Sequence, residues 1–179
     1  YLEIQGDGFK GGRIEFPIFT VGGTENALMC ASVARGVTEI LNAYITPEVE
    51  DLIDYLRRAG ADIEVYGNSR IIVRGVSRLQ GVTMPVMPDR IEVITWLTYA
   101  VLTRGDVRIE NVPFDAMKVP LLHLKEAGID FYLNSRSIYV NPDCLQGGRL
   151  QPFEVACGTH PGIVSDMQPF FVLLADGFQ

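Results

Sequence analysis

A few short runs hold the residues best able to do chemistry. Thr20-Val21-Gly22-Gly23-Thr24-Glu25-Asn26 sets a hydroxyl and two glycines ahead of a helical pattern. A helix start offers unpaired N–H groups and the positive end of the helix dipole, which suit an anion, and Gly lets a ligand approach the backbone closely. The same glycine pair also fits a plain tight turn into a capped helix. Asp89-Arg90-Ile91-Glu92 opens a second helical run. There Arg90 is a candidate cation for an anionic ligand, or a surface partner of Glu92. Ser165-Asp166-Met167-Gln168 opens a third, and a Ser-Asp pair in that place fits a helix cap. His160-Pro161-Gly162 reads as a structural turn ahead of Asp166 rather than as a proton donor, and His123 falls on an amphipathic helix with no chemical role evident.

The composition narrows what these runs can serve. The 179 residues are 47% hydrophobic and 21% charged, enough apolar chain for one full domain or two small ones. A formal net charge of −7 without any Lys/Arg cluster argues against nucleic acid as a partner. No apolar run reaches the length of a membrane span, and the first residues lack the features of a signal peptide. The three cysteines, Cys30, Cys144 and Cys157, match no metal-ligand spacing and read as free thiols of a reducing cytoplasm. No cofactor or metal is expected. Both ends read as cut from a longer chain.

Positioning these runs falls to a repeated pattern. Gly36 and Gly105, and likewise Asn42 and Asn111, stand 69 positions apart, inside Ala34-Arg35-Gly36-Val37-Thr38-Glu39-Ile40-Leu41-Asn42 and Thr103-Arg104-Gly105-Asp106-Val107-Arg108-Ile109-Glu110-Asn111. Leu56-Arg57-Arg58-Ala59-Gly60 answers Leu124-Lys125-Glu126-Ala127-Gly128. Each copy reads helix, strand, helix, strand, strand. The spacing predicts first helices over 23–34 and 90–102, stopped by Gly36 and Gly105 as C-caps. Strands follow over 38–42 and 107–111. The second helices open at Thr46-Pro47, a hydroxyl cap with Pro at the first helical position, and around Met117, where Pro120 is expected to break or kink the first turn. Strand pairs over 62–66 with 70–73, and 129–133 with 137–140, close the copies. Residues 1–19, with Gly11-Gly12 in the turn, read as the closing strands of an earlier unit. Trp96, Tyr99 and Phe114 read as core. Pro85-Val86-Met87-Pro88 is the expected crossing between domains.

With the units in place, the opening runs take on a family likeness. Thr20 to Met29 resembles the S-V-G-A-T-E-N-x-x-M run of the UDP-N-acetylglucosamine enolpyruvyl transferases. Pro88-Asp89-Arg90-Ile91-Glu92 is similar to that family's P-D-R-I-E, and Ser165-Asp166-Met167-Gln168 to its T-D-M-Q, all in register over essentially the whole chain. The resemblance implies an α/β fold of repeated βαβαββ-type units, the inside-out α/β barrel of the enolpyruvate transferases, with three units per domain and the site between domains. Residues 1–87 would end the first lobe, with one complete unit over 20–87. Residues 88–179 would begin the second, with a complete unit over 88–164 and the start of another.

The implied reaction moves the enolpyruvyl group of phosphoenolpyruvate to the 3-hydroxyl of UDP-N-acetylglucosamine, the first committed step of peptidoglycan synthesis in the bacterial cytoplasm. The implied roles are proton acceptor for Asp166, diphosphate binding for Thr20, Val21 and Gly22, and substrate contacts for Asp89, Arg90 and Glu48. Departures from the family are Ile18, where some members carry a basic residue, Thr46 for the first Glu of E-P-E, and Val164 for a Pro. The family's general-acid Cys loop and Lys-Asn pair have no counterpart here, so this stretch is expected to be inactive alone. Two alternatives stay open: a non-catalytic nucleotide-sugar-binding relative, and the sibling that makes 5-enolpyruvylshikimate 3-phosphate, whose units open with S-K-S-type runs.

Overall fold

The computed structural model describes Glu3 and residues 6–177. Its chain forms two compact units, divided between Val86 and Met87, each with a core of its own.

In the first unit the order is β1 (Arg13–Glu15), α1 (Val21–Ser32), β2 (Val37–Leu41), α2 (Pro47–Arg58), β3 (Asp62–Tyr66) and β4 (Arg70–Arg74). The four strands lie in the order β1-β2-β4-β3, with β1 parallel to β2 and the remaining pairs antiparallel. Alternation along the strands turns Ile40, Ile63, Ile71 and Val73 onto the helices, where they meet Leu28, Val49, Ile53 and Leu56. The opposite face carries charge: Arg70 pairs with Glu39, and Arg74 with Asp62 and Glu64. Gly11 does not sit in a turn between strands. It packs against β2, where a Cβ would stand 2.4 Å from the Val37 carbonyl oxygen.

The second unit contains α3 (Arg90–Thr103), β5 (Val107–Glu110), α4 (Phe114–Glu126), β6 (Tyr132–Leu133), β7 (Ser137–Val140) and α5 (Gln168–Asp176), the last preceded by a 3-10 turn at Ser165–Met167. Its sheet order, β5-β7-β6, again sets the last strand between the two that precede it in the chain. Ile94, Leu97, Met117, Leu124, Ile138, Met167 and Leu174 fill the core. Asn42 and Asn111, the residues matched at the 69-position offset, both follow their strand with a left-handed backbone, at φ 55° and 58°.

Several expectations are corrected. The C-cap of α1 is Val33, and Gly36, at φ 97°, turns the link into β2. The left-handed cap of α3 is Arg104 rather than Gly105; its guanidinium donates to the Gly148 carbonyl, which helps hold a side-chain-bearing residue there. Helix α4 runs through Pro120 unbroken, because that ring is buried in the packed face and tertiary contacts outweigh one missing backbone bond. Thr46 occupies the N-cap of α2, yet its hydroxyl makes no capping bond; at 1% exposure its Oγ1 is buried without a partner. Trp96 and Tyr99 are not core: they stand 45% and 52% exposed on α3 as an edge-to-face pair. Apolar periodicity does not tell which face of a uniformly apolar helix is covered.

Candidate functional site

Helix α1 begins where Thr20 turns the chain from an extended conformation, its Oγ1 accepting from the Gly23 N–H at 3.1 Å. The Thr24 hydroxyl, fully buried, donates to the Thr20 carbonyl at 2.7 Å and accepts from the Tyr44 N–H at 3.0 Å, so the turn is tied to the strand-exit segment behind it. The N–H groups of Val21 and Gly22 have no intrahelical acceptor, as in any first turn. Nothing lies within 4 Å of where a Gly22 Cβ would be, so the approach to this turn is open. Asn26 Nδ2 covers the Gly22 carbonyl at 2.7 Å. The departure at Ile18 is an exposed side chain, and Phe19 beside it stacks at a tilt on Tyr44. Glu48, in the first turn of α2, borders a separate groove of about 390 Å3 with Asp51, Leu52 and Tyr55.

In the second unit, Asp89 caps α3 by accepting from the Ile91 N–H at 2.7 Å. It lines a cavity of about 500 Å3 together with Glu92, Trp96, Arg108 and Asn111. Arg90 is not a surface cation. It is 4% exposed, and its Nη1 lies 3.3 Å from His160 Nδ1. That pairing, across 70 positions, has no signal in the sequence beyond the presence of both residue types. His160 stands at the tip of the loop whose end is the turn bearing Asp166. The Asp166 side chain is exposed and caps neither the 3-10 turn nor α5, while Met167 beside it is wholly buried. The turn is therefore anchored from below by one residue and presents the carboxylate of the other.

Of the expected residues, the structure brings Thr20, Val21 and Gly22 together on one turn in the first unit. In the second it links Arg90 to the loop ahead of Asp166. Among the described residues no group of three or more His, Cys, Asp or Glu could hold a metal ion. No helix among them is long and apolar enough to cross a membrane. Cys30, Cys144 and Cys157 are free, and burial pushes the Cys144 thiol up from its ordinary value.

Comparison with known proteins is consistent across sequence and structure. UDP-N-acetylglucosamine 1-carboxyvinyltransferase of Zymomonas mobilis is 40% identical over 167 residues, covering 93% of this chain and 38% of the relative. The protein of that name from Ruthia magnifica is 39% identical over 181 residues, 99% of this chain and 42% of its own length. The chain thus spans about two fifths of the curated relatives it matches. The enolpyruvyl transferase NikO from Streptomyces tendae superposes with a TM-score of 0.72 at 28% identity, over 87% of this chain and 37% of that one. An EPSP synthase from Acinetobacter baumannii shares the fold at a TM-score of 0.54 and 21% identity, over 75% of this chain and 32% of that one. The family model described as EPSP synthase (3-phosphoshikimate 1-carboxyvinyltransferase) matches residues 1–176, and the chain belongs to that family.

Proposed function

We propose that the protein containing this chain transfers the enolpyruvyl group of phosphoenolpyruvate to the 3-hydroxyl of UDP-N-acetylglucosamine, releasing phosphate and committing the sugar to peptidoglycan synthesis in the cytoplasm. The observation that carries this reading is the near-40% identity, over more than nine tenths of the chain, to relatives named for that activity. The two units, with their matching element order and sheet order, fit repeated units of the inside-out α/β barrel. Residues 1–87 then close one lobe and 88–179 open the next.

The chemistry asks for a base, because a sugar hydroxyl is too weak an acid to attack unaided. Asp166, exposed and uncommitted to any cap, takes the hydroxyl proton as the oxygen bonds to the enol carbon. Protonation of the methylene carbon, by residues outside this chain, completes the addition, and loss of a methyl proton with departure of phosphate then restores the double bond. The open turn at Thr20, Val21 and Gly22 holds the sugar's diphosphate through its N–H groups and the dipole of α1. Asp89 and Glu48 supply polar contacts to the substrate.

The test is phosphate release by the complete protein. Release is expected with UDP-N-acetylglucosamine as acceptor and not with shikimate 3-phosphate, and Asp166→Asn is expected to lower kcat by at least about 100-fold. Release with the shikimate acceptor would point to the sibling activity. Tight binding of the nucleotide sugar without any release would point to a non-catalytic binding protein.

A further inference from the structure

Arg90 starts α3, and His160 tips the loop that leads into the turn of Asp166. A guanidinium has donors and no acceptor, so its 3.3 Å contact with His160 Nδ1 is a hydrogen bond only if that nitrogen carries no proton. The ring is then neutral, with its proton on Nε2. Backbone bonds pin the rest of the loop: the Gly158 N–H donates to the Ile163 carbonyl at 2.8 Å, Gly162 to Thr159 at 2.7 Å, and Met167 to Val164 at 2.9 Å. Ile163, Val164 and Met167 are buried in the same core as Val93, Ile94 and Leu97 of α3. The core therefore holds the base of the loop, and the contact with Arg90 ties its tip to the start of the same helix.

We infer that Arg90 acts as a positioning residue rather than a substrate ligand: through a neutral, Nε2-protonated His160 it braces residues 157–164 and so fixes where the Asp166 carboxylate is presented. The contact joins an almost wholly buried side chain to the tip of the loop, and small displacements of a reacting group are costly. The inference rests on the reading of Asp166 as the base.

Two measurements test it. The chain has two histidines, His123 and His160, so the 15N–1H spectrum of their rings at about pH 7.5 is assignable with His123→Gln. His160 is expected to show an unprotonated Nδ1 and an N–H at Nε2, with the Nδ1 signal moving in Arg90→Lys. A proton on Nδ1 overturns the brace. In the complete protein, His160→Leu is expected to lower kcat about tenfold or more while both KM values stay within about twofold. His160→Asn, whose Oδ1 replaces the Nδ1 acceptor, is expected to recover most of that loss, which a general packing role would not predict. Arg90→Lys added to His160→Leu is expected to cost less than about twofold more. A rise in KM for either substrate in Arg90→Lys with kcat intact would make Arg90 a direct ligand and overturn the inference. Absence of turnover in the unsubstituted protein would sink the reaction assigned to Asp166, while the ring spectrum would still decide the brace.

Discussion

A Cβ placed on Gly23 would stand 2.4 Å from the Thr20 Cγ2, and only 3.1 Å from the Oγ1 that caps the helix. In the family run these two positions are Ser and Ala, and a Ser has no Cγ2 to collide. Thr20 and Gly23 therefore read as one coupled choice. Gly23→Ala alone is expected to destabilise the chain by about 1–2 kcal/mol, because the methyl must move and the cap bond goes with it, against a smaller helix-propensity gain. Thr20→Ser/Gly23→Ala together are expected to recover most of that loss, with the Phe16 ring, 3.0 Å from the added Cβ, giving way by a few tenths of an ångström. Urea unfolding of the two singles and the double gives the coupling directly, and additive effects would refute the pairing. The turn into α1 was legible from its glycine pair, although the helix opens at Val21, two residues before the expected start, with Thr20 as its cap. The contact of Arg90 with His160 was not, since neither residue type nor spacing names a partner 70 positions away.

Among the described residues, threonine stands at the N-cap of two helices, and one of the two uses its hydroxyl. Thr20 Oγ1 accepts from Gly23, whereas Thr46 Oγ1 is buried and unpartnered beneath α2. Valine at the two positions should act in opposite directions. Thr20→Val is expected to cost about 1 kcal/mol by removing a cap, and Thr46→Val to be neutral or to stabilise by up to about 1 kcal/mol by removing an orphaned hydroxyl. Thermal unfolding distinguishes the signs. On the charged face of the first sheet, the Glu64 carboxyl is held below its usual range, chiefly by the Tyr66 hydroxyl and then by Arg74. A carboxyl lowered on folding adds stability above its usual titration range and loses it as pH falls through its folded value. Tyr66→Phe should move the Glu64 titration back toward the ordinary carboxylate range, read by NMR across the acid limb. Element order was legible because periodicity changes sharply between helix and strand. The miscast ends were not: Arg104 takes the left-handed cap in place of Gly105, and Pro120 survives inside α4, both through contacts made elsewhere in the fold.

Across the molecule, α1, α3 and α5 share a property that α2 and α4 lack. Each is poor in charge, with two charged residues at most, and exposes large apolar side chains (Met29 on α1, Trp96 and Tyr99 on α3, Val172 and Leu173 on α5), whereas α2 and α4 expose Tyr55 and Leu122 among charged neighbours. The outward faces of α2 and α4 carry charge instead, in pairs such as Arg58 with Asp54 and Lys118 with Asp115. Uncovered apolar faces on this scale favour association, so the 179-residue chain is expected to scatter as larger species with rising concentration, and Trp96→Lys with Val172→Lys to reduce this. Thiol accessibility should rank with burial. Exposed Cys157 is expected to react first with a maleimide, while Cys144, buried and with its thiol pushed up, waits for unfolding of the second unit.

Trp96 is the one tryptophan in the sequence. An indole half out of the surface, with Nε1 3.4 Å from a Glu92 carboxylate oxygen, emits into water and lies open to collisional quenchers. Whatever settles over that side of α3 will dry the ring and shift its glow to shorter wavelength. The fluorophore for watching this chain meet its cover is already built in.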